Sequence, residues 1–228
     1  VIPLRDDVPS RTYPFVNITL IVANVVVWFY ELSLGPQLES FLNEFGAVPA
    51  HYFRPDFNLV DRIVPLFASI FIHGGWFHVI GNMLFLYIFG DNVEDRVGHL
   101  RYIVFYLLCG LVASMTHIIV NATSTVPTVG ASGAIAGVLG AYMLLYPKAK
   151  VVALLPLFIF FHVLEVPAIV FLGLWFLYQF LYASLALSNE AGGVAWWAHI
   201  GGFLAGTVLI WGFRKRRRLA GRDTRWAR

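Results

Sequence analysis

Six stretches of 14 or more residues contain no Asp, Glu, Lys or Arg: residues 12–30, 63–90, 102–147, 151–164, 166–189 and 191–213. A membrane-crossing helix needs about 20 apolar residues, because ~30 Å of hydrocarbon is traversed at ~1.5 Å per residue. The first and last stretches each predict one helix, at residues 15–34 and 194–213. The second is too long for one helix and contains Pro65 and Gly74-Gly75, so its helix is expected at 75–92. The third must hold two, at 101–121 and 132–147, separated by the polar, helix-breaking segment Asn121 to Gly130. The fifth supplies a helix at 167–187. Residues 151–164, with Pro156 in their midst, have the length of an interfacial or re-entrant segment.

Parity settles the count at six spans. Both termini then share one side, and 14 of the 16 basic residues fall there, leaving only Arg54 and Arg62 opposite. The positive-inside rule makes that side cytoplasmic. The tail 214–228 holds eight basic residues and one acid and reads as an anchor beside the last span. The long loop 35–74 lies outside, and its aromatic and apolar residues suit either a membrane-associated amphipathic element or a packed loop.

Composition excludes other classes. The chain is 59% hydrophobic and 13% charged, with a mean hydropathy of +0.73. A soluble fold, a disordered chain and a nucleic-acid module are excluded together. No polar region is long enough for a separate soluble domain, so residues 1–228 are expected to form a single membrane domain, an all-α polytopic bundle. Cys109 allows no intrachain disulfide. No cleavable signal or long targeting extension is evident, which suits a bacterial cytoplasmic membrane.

Polar groups inside spans are costly and therefore informative. Ser132 stands where the polar loop turns into a helix of about 16 residues, ~24 Å long and too short to span. With its inner end held by Lys148 and Lys150, Ser132 lies below the outer surface, so the preceding loop must descend into the protein. A serine at a helix start is commonly a cap. His199, about a turn and a half into the last helix, gives it a second reading. Gly202 and Gly206 follow the histidine, and Gly133, Gly137 and Gly140 follow the serine. Such faces let helix backbones approach closely, bringing a short hydroxyl within reach of an imidazole. His78 and Asn82, at i and i+4 on the second helix, can join the backbone N–H of Ser132 as donors to an oxyanion. A metal site built on His73, His78 and His199 lacks HExxH, a cysteine partner and an inward carboxylate. Asp91 sits at a cytoplasmic helix end among other charges, which argues against an intramembrane aspartyl mechanism.

These residues resemble the rhomboid family of intramembrane serine proteases over about residues 65 to 210. His78-Val-Ile-Gly-Asn82 is similar to its HxxxN motif, Gly130-Ala-Ser132-Gly133 to its GxSG, and Ala198-His199-Ile-Gly-Gly202 to its AHxxG, in the family's order. Gly90 to Gly98, with Glu94 and Arg96, resembles its cytoplasmic loop motif. The resemblance implies a Ser–His dyad without an acidic third member. Ser132 would be nucleophile and His199 general base, with His78, Asn82 and the Ser132 N–H as oxyanion hole. Gly130, Gly133, Gly137, Gly202 and Gly206 would pack the helices at the site. It implies no cofactor and no metal. The substrate would be a membrane protein's transmembrane segment, admitted laterally past the fifth helix and the loop from Ser188 to Gly193. Some members carry an aromatic residue four positions after the nucleophile, stacked on the histidine, where this chain has Ala136.

The alternative from another class is a non-catalytic, pseudoprotease-like binder of transmembrane segments. A transporter predicts internal repeats or mid-membrane carboxylates, and neither is visible.

Overall fold

The computed structural model describes residues 1–157, 160–186 and 195–215. Its elements are β1 (Ile2–Asp6), α1 (Phe15–Ser33), α2 (Leu38–Phe45), α3 (Leu59–Ala68), α4 (Trp76–Val97), α5 (His99–Val120), α6 (Ser132–Leu145), β2 (Lys150–Leu157), β3 (Phe160–Pro167), α7 (Ala168–Ala186) and α8 (Trp196–Phe213).

Helices α1, α5, α7 and α8 are each long and apolar enough to cross a bilayer. Helix α4 meets that test only jointly with the segment Leu59–Phe71, from which it is bent by 79°. The chain is a mostly helical membrane protein. Its side chains are sorted accordingly: Val22, Val26 and Phe29 of α1 and Leu174, Leu177 and Leu181 of α7 face outward. Helix α6 is the opposite case. Every residue from Gly133 to Tyr142 is buried, because glycines and alanines let its neighbours close around it. Gly133 and Gly137 lie against Ala113 and Cys109 of α5, while Gly202 and Gly206 of α8 lie on the carbonyls of Gly133 and Gly137. A Cβ at Gly206 would overlap the Gly137 oxygen. Only a bare backbone tolerates that approach.

One expectation is corrected. The fold is not all-α, since β1, β2 and β3 form an antiparallel sheet with Ile2 opposite Leu154 and Val152 opposite Glu165. Residues 151–157 and 160–164, expected as a segment of interfacial or re-entrant length, lie in the paired strands β2 and β3. Their Val151, Val152, Phe161, Val163 and the adjoining Val166 suit a pleated strand, and Pro156 disfavours a helix there.

The sheet lies at the end of the bundle that gathers the N-terminal segment, the end of α4 and Lys215. The hydroxyls of Ser10 and Thr12 donate to Asp91 and Asp95 at 2.8 and 2.7 Å, and the Lys215 N–H donates to the Arg96 carbonyl. Residues Gly90 to Val97 are helical, not a loop, and α4 stops at Gly98, whose φ is +93°. Glu94, 0% exposed, accepts the N–H groups of Val16 and Asn17 at 3.0 and 2.7 Å, and its Oε1 lies 2.5 Å from His99 Nδ1. A buried carboxylate thus closes the start of α1, where the first N–H groups have no partner in their own helix.

The opposite end holds the first loop, which folds into α2 and α3 with short 3-10 turns. Asn58 caps α3 by accepting from the N–H groups of Val60 and Asp61. Leu59, Val60, Ile63, Val64 and Phe67 form an exposed apolar stripe on α3. The expected loop at Ser188 to Gly193 and nearly all of the basic tail, 216–228, lie outside the described residues.

Candidate active site

Ser132 is the first residue of α6, and no side chain caps that helix start. The loop leading down to it is held where the Gly130 N–H donates to the Ser69 carbonyl at 2.8 Å. Gly130 has φ +130°, a conformation that side chains resist. A Cβ there would also fall 2.6 Å from His78 Nε2 and 3.5 Å from Ser132 Oγ. The His78 ring and the serine hydroxyl therefore border one small space beside the Gly130 backbone. The first N–H groups of α6, which have no intrahelical acceptor, belong to the same region.

Helix α8 delivers His199, which is 9% exposed, and its Nε2 lies 2.7 Å from Ser132 Oγ. The other ring nitrogen, Nδ1, lies 2.7 Å from Oε1 of Gln179 on α7. An amide oxygen only accepts, so Nδ1 carries the proton and bare Nε2 accepts from the serine hydroxyl. Two indoles flank the imidazole: Trp175 at 5.9 Å, tilted by 36°, and Trp196 at 6.2 Å, edge-on. Ala136 is buried inside α6 and offers the ring no aromatic face.

His78 and Asn82 lie one turn apart on α4, and neither hydrogen-bonds Ser132 or His199 among the described residues. The Gly74 N–H points at His78 Nδ1 at 3.4 Å, which favours a proton on Nε2, the nitrogen nearest Gly130. The Asn82 amide donates one N–H to His73 Nε2 at 3.0 Å and keeps the other free of that bond. His73 is itself fixed, with Nδ1 3.3 Å from the Phe71 carbonyl and its backbone N–H on the Glu31 carboxylate at 3.1 and 3.2 Å. Among the described residues no three His, Cys, Asp or Glu side chains gather as a metal site would require.

Three supports are not apparent from the sequence: Gln179, His73 in this role, and Glu31. Gln179 and Glu31 each leave a signal. An amide within an uncharged span, and a carboxylate at the end of another, both demand a partner in a low-dielectric surrounding.

The family model described as the Rhomboid domain matches residues 60–216. The chain belongs to the rhomboid family. It is 29% identical over 200 residues to Rhomboid-like protein 11, chloroplastic, of Arabidopsis thaliana, a match covering 83% of this chain and 65% of that protein. It is 26% identical over 207 residues to Rhomboid protein 1, mitochondrial, of Saccharomyces cerevisiae, covering 88% of this chain and 54% of the relative. A shorter match, 30% over 112 residues, joins it to Presenilin-associated rhomboid-like protein A, mitochondrial, of Danio rerio, covering 48% of this chain and 29% of that one. The chain thus spans between about half and two-thirds of the length of the first two relatives. These rhomboid relatives are organellar by name, so the expected bacterial cytoplasmic membrane draws no support from them. All three motifs lie inside the matched rhomboid segment.

Proposed function

We propose that this rhomboid-family chain is an intramembrane serine endopeptidase that cuts transmembrane segments of other membrane proteins with a Ser132–His199 dyad. The observation that carries the reading is the 2.7 Å separation of Ser132 Oγ and His199 Nε2 at an uncapped helix start. In this reading α1, α4, α5, α6, α7 and α8 are the six membrane helices of one domain, and the end with both termini is cytoplasmic.

The chemistry follows from the protonation states. His199 Nε2 takes the hydroxyl proton as Ser132 Oγ bonds to the scissile carbonyl carbon, and the carbonyl oxygen becomes an oxyanion. The Ser132 N–H, the His78 Nε2–H and the free N–H of Asn82 stabilise that charge, helped by the N-terminal dipole of α6. Collapse breaks the C–N bond while His199 returns the proton to the leaving amine. Water then gives its proton to His199 and attacks the acyl ester, releasing the acid and restoring the serine hydroxyl. A water-sized cavity of about 20 Å³, lined by Ser69, Thr128 and Ser132 among others, adjoins the helix start.

The test is cleavage of a single-span reporter by the purified chain in liposomes. The wild type should cut, while Ser132→Ala and His199→Ala should each lose about 10⁴–10⁶ in rate. Labelling of Ser132 by a fluorophosphonate only when His199 is present would establish the nucleophile even with an unsuitable reporter. Binding of transmembrane segments by Ser132→Ala, with neither cleavage nor labelling by the wild type, would instead establish the non-catalytic binder.

A further inference from the structure

We infer that Gln179 is the positioning residue of His199, a neutral third member of the hydrolytic unit supplied by α7; this rests on the protease reading above. Gln179 is 5% exposed and is the only amide or charged side chain between Ala168 and Ala186. An amide in such a helix is costly to bury unless its polar atoms are used. Its Oε1 is used at 2.7 Å from His199 Nδ1. No Asp or Glu faces the imidazole among the described residues, since its hydrogen-bond partners are Gln179 and Ser132 and its ring neighbours are Trp175 and Trp196.

The amide decides which nitrogen does the work. Neutral imidazole has two tautomers, and only the one protonated at Nδ1 leaves Nε2 able to take the serine proton. An acceptor fixed at Nδ1 selects that tautomer and stops the ring from turning about its own axis. When the ring becomes imidazolium, the same oxygen faces the new charge with the negative end of a dipole. Trp175 sits four residues before Gln179, so one face of α7 meets the ring twice, through an indole and an acceptor. Both contacts come from α7, whereas α6, beyond the Ser132 hydroxyl itself, has only the small Ala136 one turn on. The imidazole is therefore steered from a different helix than the one that carries the nucleophile.

The experiment compares wild type, Gln179→Leu, Gln179→Glu and Ser132→Ala in the liposome reporter assay, with nitrogen-15 NMR of the histidines in the same samples. Gln179→Leu, which removes the acceptor at similar size, should lower kcat roughly 10²-fold with KM within about twofold. Gln179→Glu keeps an oxygen acceptor and should recover kcat to within about tenfold of wild type. The wild-type His199 signal should be that of an Nδ1–H tautomer, and Gln179→Leu should convert it to a mixture. Wild-type kcat in Gln179→Leu, or equal losses in both variants with a lowered unfolding temperature, would overturn the proposal. If wild type and Ser132→Ala are alike inert to reporter and fluorophosphonate, the protease reading fails on its own. The NMR then still decides: an unchanged tautomer in Gln179→Leu overturns the positioning role, and a changed one supports it.

Discussion

Gly202 of α8 rests on the carbonyl of Gly133 of α6 so closely that a Cβ at position 202 would overlap that oxygen. Ser132 and His199 sit on the same two helices, one residue and three residues from this contact. A methyl at 202 must push the helices apart, and the 2.7 Å separation of Ser132 and His199 widens with them. Gly202→Ala is expected to cut reporter cleavage by about 10²-fold, the effect of a misplacement near 1 Å. It should also lower stability by roughly 1–3 kcal/mol. At Gly212 on the same helix an added Cβ would meet nothing within 4 Å, so Gly212→Ala should leave both readings unchanged.

The proposed oxyanion donors give a graded expectation. Asn82→Ala removes a donor outright and should cost about 10²–10³ in kcat. His73→Ala leaves the amide in place but takes away the nitrogen that holds it, so a smaller loss of about tenfold is expected. Glu31→Gln, one step further out on the His73 backbone N–H, should change kcat less again. Steady-state cleavage in one lipid composition ranks the three, and an order other than Asn82, His73, Glu31 would break the chain of support.

Stability of the far end should depend on Glu94. Glu94→Ala strands the N–H groups of Val16 and Asn17 in a buried place and should cost roughly 2–4 kcal/mol. Glu94→Gln retains one oxygen and should cost less. Thermal unfolding in detergent micelles measures both, and equal values for the two variants would mean that the acceptors contribute little.

A pH dependence follows from Asp6 on β1. Burial pushes its carboxyl up to about 6, against the hydroxyl that Tyr142 donates to it, with Asp91 and Asp7 adding to the rise. The folded chain then holds a proton that the unfolded chain has already released above pH ~4. The stabilisation from Asp6 is complete below that pH and is lost as pH rises through about 6. Unfolding temperature should therefore fall between pH ~4 and about 6 more steeply in wild type than in Asp6→Asn. Parallel curves would remove Asp6 from the account.

Much of the bundle was legible because charges punctuate an apolar chain. The helix starting at Ser132 follows from a polar, glycine-containing loop running into small residues, and its shortness follows from Pro147 and Lys148. The sheet was not legible. Ile2 and Leu154 are neighbours only through long-range pairing, and the stretch 151–164 is apolar without the alternation that marks a strand facing water on one side. Helices α2 and α3 were hidden for another reason, since an exposed apolar stripe among aromatic residues reads equally as a packed loop. Within the site, the motif spacing pointed to Ser132, His199, His78 and Asn82. Gln179 escaped because nothing in α7 alone says which of its faces meets α8, although an unpaired amide in that helix posed the question.

The strand β1 carries a consequence for biogenesis. During synthesis it must wait until helices α1 to α6 and then β2 have followed it. Its edge remains an open template for that whole interval, and loop closure over such a separation is slow. The pairing of Ile2 with Leu154 and the Tyr142–Asp6 contact then act as a latch that closes late and fastens β1 to β2 and α6. A chain arrested before residue 150 would hold its helices yet lack that latch, which makes susceptibility of residues 1–10 to protease a clock for completed assembly.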